Sequence, residues 1–234
     1  MSDNEHLPSP SRRGLLWIIV QSVLRVLCTF WLGYRARGVN KIPATGGGLL
    51  LINHQSFLDP ILVGLPLSRS VSFLARDSLF RVPLLRWFFI RMFGIPISRE
   101  AASSAAMRET IRRMQHGFLI AIFPEGTRSN DGTVGEFRSG FVAIVRRCTL
   151  PVYPVGIAGA NEALPRGSWF VKPARVRVVF GDPLTPEEIE QNCRRGQEEQ
   201  MIRLARQRIL ACQRQAESWR QHLPHTPSGH VATE

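Results

Sequence analysis

Lysine is almost absent from this chain. Of its 30 basic residues only Lys41 and Lys172 are lysines, and the rest are arginines. Against 18 acidic residues they leave a formal net charge of +12. Arginine presents a planar fork suited to carboxylate and phosphate, so the surface should attract anions. The arginines are scattered, with no recognition-helix run and no RNA-binding aromatic motif, which argues against nucleic acid. Cysteine is scarce as well. Cys28, Cys148, Cys193 and Cys212 form no C-x-x-C pair, so neither a zinc site nor a disulfide framework is suggested, and a reducing compartment fits. The six histidines include no H-E-x-x-H, and metal catalysis has no support. The run Gly46-Gly47-Gly48 lacks a Walker lysine and any G-x-G-x-x-G frame. It reads as a turn, not a nucleotide cradle.

A long uninterrupted apolar run is also missing. The nearest approach, residues 14–34, contains Gln21 and Arg25. Arg12 and Arg13 precede it, as in a signal peptide, but no small-residue cleavage site follows. As a membrane span it is marginal. Its large aliphatic and Phe residues contribute about 3 to 6 kcal/mol, and a central arginine costs about 2.5 to 3.5 kcal/mol. On a helical wheel Gln21, Ser22, Arg25 and Thr29 form one polar stripe, and the remainder, with Trp17 and Trp31, is apolar. That pattern suits a helix lying in a membrane interface first, and a helix packed on the domain could show it too.

What is present is a globular pattern. At 234 residues, 44% hydrophobic and 21% charged, the chain suits one domain with a sizeable core. Residues 1–13 read as a flexible tail, 14–34 as a membrane-interfacial or spanning helix, 35–220 as the folded domain and 221–234 as a disordered tail. Within the domain, short apolar runs at 47–53, 71–75, 94–98, 118–123, 152–157 and 175–180 predict strands. Helical patterns fall at 60–67, 83–93, 101–116 and 139–148. Thr185, Pro186 and Glu188 form a capping box with proline at the first helical position, opening a helix to about residue 219 with a weak point at Gly196. The alternation predicts an α/β domain, with a mostly parallel central sheet flanked by helices.

Two segments carry candidate chemistry. Asn53-His54-Gln55-Ser56-Phe57-Leu58-Asp59-Pro60 follows an apolar strand, so His54 should stand at the strand's carboxyl end, where open α/β sheets place ligands. Asp59 before Pro60 reads as a helix cap. The turn can also fold its carboxylate back onto the imidazole, fixing the tautomer and making the other nitrogen a general base. The alternative is a simple cap beside a polar loop histidine. Phe123-Pro124-Glu125-Gly126-Thr127-Arg128-Ser129 leaves another apolar strand, on the same predicted edge. Gly126 permits close backbone approach, Thr127 and Ser129 offer hydroxyls, and Arg128 suits phosphate oxygens. Glu125 could order that arginine or accept a substrate hydroxyl. Taken alone the segment could also be a polar turn with a surface arginine. Arg138 and Gly140 open the next helix, a second potential anion contact. Gly94-Ile95-Pro96-Ile97-Ser98-Arg99 ends in an arginine, and Leu150-Pro151-Val152-Tyr153-Pro154-Val155 is an apolar strand framed by prolines.

In this order and spacing, the four segments resemble the four motif blocks of the glycerolipid (lysophospholipid) acyltransferase family. The resemblance runs from about residue 35 to 184, and the third block, residues 123–129, is a very close match. One position departs: Ser98 stands where the second block often carries aspartate. The resemblance implies that His54 is the general base and Asp59 its orienting partner. It implies that Arg99, Glu125, Gly126, Thr127 and Arg128 bind the acceptor's glycerol phosphate. It implies transfer of a fatty acyl group from acyl-CoA or acyl-carrier-protein, as co-substrate, to lysophosphatidate, giving phosphatidate without an acyl-enzyme, a metal or a cofactor. Glycerol-3-phosphate, lyso-ornithine lipid or another lysophospholipid are alternative acceptors. A non-catalytic protein docking on anionic membranes is the alternative of another class. The expected partners are the acyl donor, the lysophospholipid acceptor and a membrane lipid surface at its cytoplasmic face.

Overall fold

The computed structural model of this chain describes residues 15–76, 95–97 and 105–222. The tail expected over 1–13, the helix expected over 83–93 and Arg99 lie outside these residues, as does most of the tail expected over 221–234.

Seven described strands form one sheet, in the order β1-β7-β6-β2-β5-β3-β4. The strands are β1 (Arg35–Arg37), β2 (Gly48–Ile52), β3 (Val71–Arg76), β4 (Ile95–Ile97), β5 (Leu119–Ile122), β6 (Val152–Ala158) and β7 (Arg177–Phe180). The run β6-β2-β5-β3-β4 is parallel, but β7 pairs antiparallel to β6, and β1 parallel to β7. The sheet is therefore α/β and mostly parallel, as the alternation predicts, with one edge reversed. The central strands are buried along their whole length, which is why they read as unbroken apolar runs. Their side chains alternate between two cores. Leu50 and Ile52 enter the one that also holds Leu62, Val63 and Phe73, whereas Leu49 and Leu51 enter the other, with Met114, Phe141 and Ile209.

Helices cover both faces. They are α1 (Leu15–Trp31), α2 (Asp59–Gly64), α3 (Ala105–Gln115), α4 (Gly140–Arg147), α5 (Ala160–Ala163), α6 (Pro186–Asn192) and α7 (Glu198–Gln221). Helix α7 buries Met201, Ala205, Ile209, Cys212 and Ala216, one stripe at helical spacing. It packs directly on β6 at Gly156, where a Cβ would stand 2.2 Å from the Gln213 backbone nitrogen. The capping box at Thr185 and Glu188 forms as predicted, but the single helix expected after it is two. Gly196, at φ 82°, lies in the break between them.

Helix α1 turns only part of the predicted polar stripe to the protein: Gln21 and the Arg25 guanidinium reach it, whereas Ser22 and Thr29 are exposed. Gln21 is buried and donates to the carbonyls of Gly64, Leu65 and Leu67 at 3.1, 3.2 and 2.9 Å. Arg25 also donates to Leu65 O. Trp17, Leu24 and Cys28 pack on the core, while Ile19, Val23, Val26, Leu27 and Phe30 face outward. No helix among the described residues is long and apolar enough to cross a membrane.

Candidate functional site

Strands β2 and β5 lie side by side and parallel, with Leu51 opposite Ile122. Their carboxyl ends therefore release residues 53–58 and 123–129 next to each other. Asn53 extends the β2–β6 pairing by one step with its side chain: its Nδ2 donates to Ile157 O at 3.0 Å, and its Oδ1 accepts from Ile157 N at 2.7 Å. His54 then leaves the sheet at a fixed point.

The turn brings Asp59 back onto His54. One carboxylate oxygen, Oδ2, lies 2.8 Å from His54 Nδ1 and also accepts from the backbone N–H groups of Gln55 and Ser56, at 2.7 and 2.8 Å. Asp59 is fully buried, and its other oxygen has no partner. Burial pushes the carboxyl pKa up, and His54 with the two N–H groups pulls against it. An ionised carboxylate only accepts; with Asp59 in that form, Nδ1 holds the proton and Nε2 is the ring nitrogen without one. The expected helix cap differs in detail: Asp59 is the first residue of α2, behind Leu58, and its side chain serves the turn before it.

The 123–129 turn clamps the same histidine. Glu125 Oε1 accepts from His54 N at 2.8 Å, and Ser129 N donates to His54 O at 2.8 Å. The Phe123 ring stacks on the imidazole, with centroids 4.0 Å apart and planes 19° apart. Both main-chain polar groups and one ring face of His54 are thereby held by a segment about seventy residues away. The second oxygen of Glu125 accepts from Gly135 N at 3.0 Å, so a substrate hydroxyl would compete with backbone for this carboxylate. Burial raises the Glu125 pKa. Gly126, at φ 69°, lies beneath the Arg138 guanidinium, and a Cβ there would meet Arg138 Nε at 2.9 Å.

Arg128 lies with its guanidinium 3.6 Å over the Phe57 ring, and its buried Nη1 has no hydrogen-bond partner. Burial lowers its pKa and Arg166 lowers it further, while Asp59 opposes. A guanidinium held flat, with a donor unspent and a second arginine near, is poised for an anion with several oxygens. Thr127 is exposed beside it. Ser56 serves the turn, its hydroxyl donating to Leu164 O at 3.0 Å. The fourth motif segment builds β6. A groove of about 640 Å³ is lined by Leu150, Pro151, Ile189 and Cys193 among others. It lies at the amino end of β6, away from His54.

The structure thus brings His54, Asp59, Glu125, Gly126, Thr127 and Arg128 to one edge. Sequence reasoning gave no role to Phe123, Phe57 or Arg166. The two phenylalanines stood inside the motif segments, but ring contacts across seventy positions leave no spacing to read. Arg166 carried no signal at all.

Comparison with known proteins gives the same direction. A family model described as Acyltransferase matches residues 34–158. The chloroplastic 1-acyl-sn-glycerol-3-phosphate acyltransferase BAT2 of Brassica napus is 29% identical over 161 residues, 67% of this chain and 46% of that protein. The Bacillus subtilis 1-acyl-sn-glycerol-3-phosphate acyltransferase is 23% identical over 164 residues, 70% of this chain and 79% of that one. The chain spans about half the length of the plant relatives it matches. Among solved structures, the 1-acyl-sn-glycerophosphate (LPA) acyltransferase PlsC of Thermotoga maritima superposes with TM-score 0.71 at 25% identity, covering 89% of this chain and 81% of its own.

Proposed function

The chain belongs to the Acyltransferase family, and from that premise we propose that it moves a fatty acyl group from acyl-CoA or acyl-carrier-protein to the free hydroxyl of lysophosphatidate, giving phosphatidate. One observation carries the reading: the His54–Asp59 pair, at 2.8 Å, is fixed at the sheet edge beside an arginine with a buried, unpaired donor. The acceptor hydroxyl attacks the thioester carbonyl while His54 Nε2 takes its proton. Asp59 stabilises the imidazolium that forms. The tetrahedral oxyanion collapses, the carbon–sulfur bond breaks, and the proton passes from His54 to the departing thiolate. No acyl-enzyme intervenes.

Arg128 is assigned to the acceptor's phosphate, with Gly126, Thr127 and Arg99 completing that contact. Glu125 contributes by bracing the His54 backbone through the bonds described above. Association with the cytoplasmic face of a membrane belongs to the same reading. It is supported by the outward apolar face of α1, the pattern of a helix lying in the interface.

Purified protein given labelled acyl donor and a panel of acceptors tests the proposal. Lysophosphatidate should be acylated by wild type and not by folded His54→Ala. A glycerol or lysolipid acceptor without phosphate outperforming lysophosphatidate would remove the role given to Arg128.

A further inference from the structure

Two large aromatic side chains stand in water outside the site just described. Trp169 is 93% exposed and Phe170 81% exposed. They occupy the connection from α5 to β7, which is not a loose strand of chain. Ser168 Oγ donates to Phe170 O at 3.1 Å, Lys172 N donates to Ala163 O at 2.7 Å, and Trp31 Nε1 donates to Val171 O at 3.0 Å. The last bond ties the connection to the final residue of α1. It makes the two rings continuous with the outward face of α1, where Phe30 is 86% exposed. Two segments about 140 positions apart thus build one apolar surface, of a kind that marks an interaction site when it faces solvent.

The rim of this surface is cationic. Lys172 is exposed in the connection, and Arg35 is exposed where β1 follows α1. Arg175 Cγ lies close to Gly33. Buried Arg177 donates to Gly33 O and Val176 O, and neighbouring arginines press on it, so that burial and their charge lower its pKa to about 10. The acidic groups on this corner, Glu162 and Glu217, both pair with Arg220. A broad apolar face with a positive rim complements an anionic bilayer, in which rings insert and cations meet headgroups.

We propose that residues 169–171 form a second lipid-inserting element, which docks the chain with α1 on bilayers containing anionic phospholipid. The inference rests on the membrane association proposed above and adds a contact made by a different part of the chain. It also sets an orientation. The connection starts beside the site, where Leu164 O accepts from Ser56 and Arg166 donates to Asn130, so the edge carrying His54 is held next to the lipid.

The full chain is sedimented with vesicles of equal phosphatidylglycerol and phosphatidylcholine, and with phosphatidylcholine alone. Wild type should partition at least about tenfold more strongly onto the anionic vesicles. Trp169→Ser and Phe170→Ser should each weaken partition about tenfold, equivalent to about 1.4 kcal/mol, with unchanged melting temperature. Arg35→Gln with Lys172→Gln should abolish the preference for anionic vesicles and leave binding to neutral ones. Undiminished partition of the serine variants would overturn the inference, as would equal binding of wild type to both vesicles. A lipid-free dimer dissolved by Trp169→Ser would do so too, since a second copy would then cover the face. Turnover of a dispersed short-chain acceptor should not change in the serine variants. If no acceptor turns over while partition behaves as stated, the docking inference stands and the acyltransferase reading fails.

Discussion

Replacing Asp59 by asparagine separates the charge of this residue from its shape. One carboxylate oxygen takes all three donors, at 2.7 to 2.8 Å, and the other is buried without a partner. An asparagine can keep its carbonyl oxygen on the three donors and put its amide nitrogen where nothing binds now. The turn should hold, with stability within about 2 kcal/mol of wild type. What disappears is the negative charge opposite the imidazolium. Unit charges 2.8 Å apart attract by about 6 kcal/mol at an effective dielectric of 20. A neutral hydrogen bond in the same place returns about 1 to 2 kcal/mol. The difference, about 4 kcal/mol, predicts a fall in kcat of about 10³, within the range of general-base assistance. The assay is kcat and KM on dispersed lysophosphatidate for wild type, Asp59→Asn, His54→Ala and the double variant. Because the pair acts as one unit, the double variant should lose little more than His54→Ala alone. Turnover of Asp59→Asn within threefold of wild type, or losses that multiply in the double variant, would refute the dyad.

Other substitutions probe the supports. Glu125→Gln must set an amide N–H₂ against the N–H of either His54 or Gly135; it should lose about 1 to 3 kcal/mol of stability, and kcat should fall with little change in KM. Unchanged kcat would mean that the His54 backbone needs no brace. Burial also gives Glu125 a raised pKa, so the native state holds this proton more tightly than the unfolded chain. Its contribution to stability therefore falls as pH rises from the usual value of 4.5 through the native one. Urea titrations from about pH 4 upward should show a steeper fall in wild type than in Glu125→Gln, which keeps only the fall due to the raised Asp59 pKa; equal slopes would refute it. Gly156→Ala drives a methyl into the α7 backbone and should lower stability by about 3 kcal/mol or more in a thermal melt, a result that an unchanged melting temperature would contradict. Gly126→Ala meets both a positive φ and the Arg138 side chain; a loss of about 1 kcal/mol or more is expected, and a stabilised variant would count against this turn.

How far sequence reaches differs from element to element. The runs that became β2, β5 and β6 were legible because both of their faces are buried, so apolar residues fill every position. Strand β1, Arg-Ala-Arg, was not. It is short, its arginines face water, and it is a strand only because β7 lies beside it. The reversal of β7 was equally hidden, since direction depends on how residues 159–176 cross the edge, which no local pattern records. His54 and Asp59 could be paired from a strand–turn–helix spacing. The partners of Glu125 could not, because a carboxylate next to an arginine suggests a charge pair, and here it seeks backbone N–H groups instead. The polar stripe expected on α1 survives only in part, because the face that packs is Trp17, Gln21, Leu24 and Cys28, while Ser22 and Thr29 stay in water.

Gln21 gives that helix a hold on the chemistry. Its amide occupies carbonyls at the far end of a six-residue helix whose opening residue is Asp59. Cutting the chain ahead of residue 35 would therefore reach beyond α1 itself. Acceptors now satisfied would be stripped at one end of a short rigid rod, and the disturbance would arrive at the carboxylate on the other.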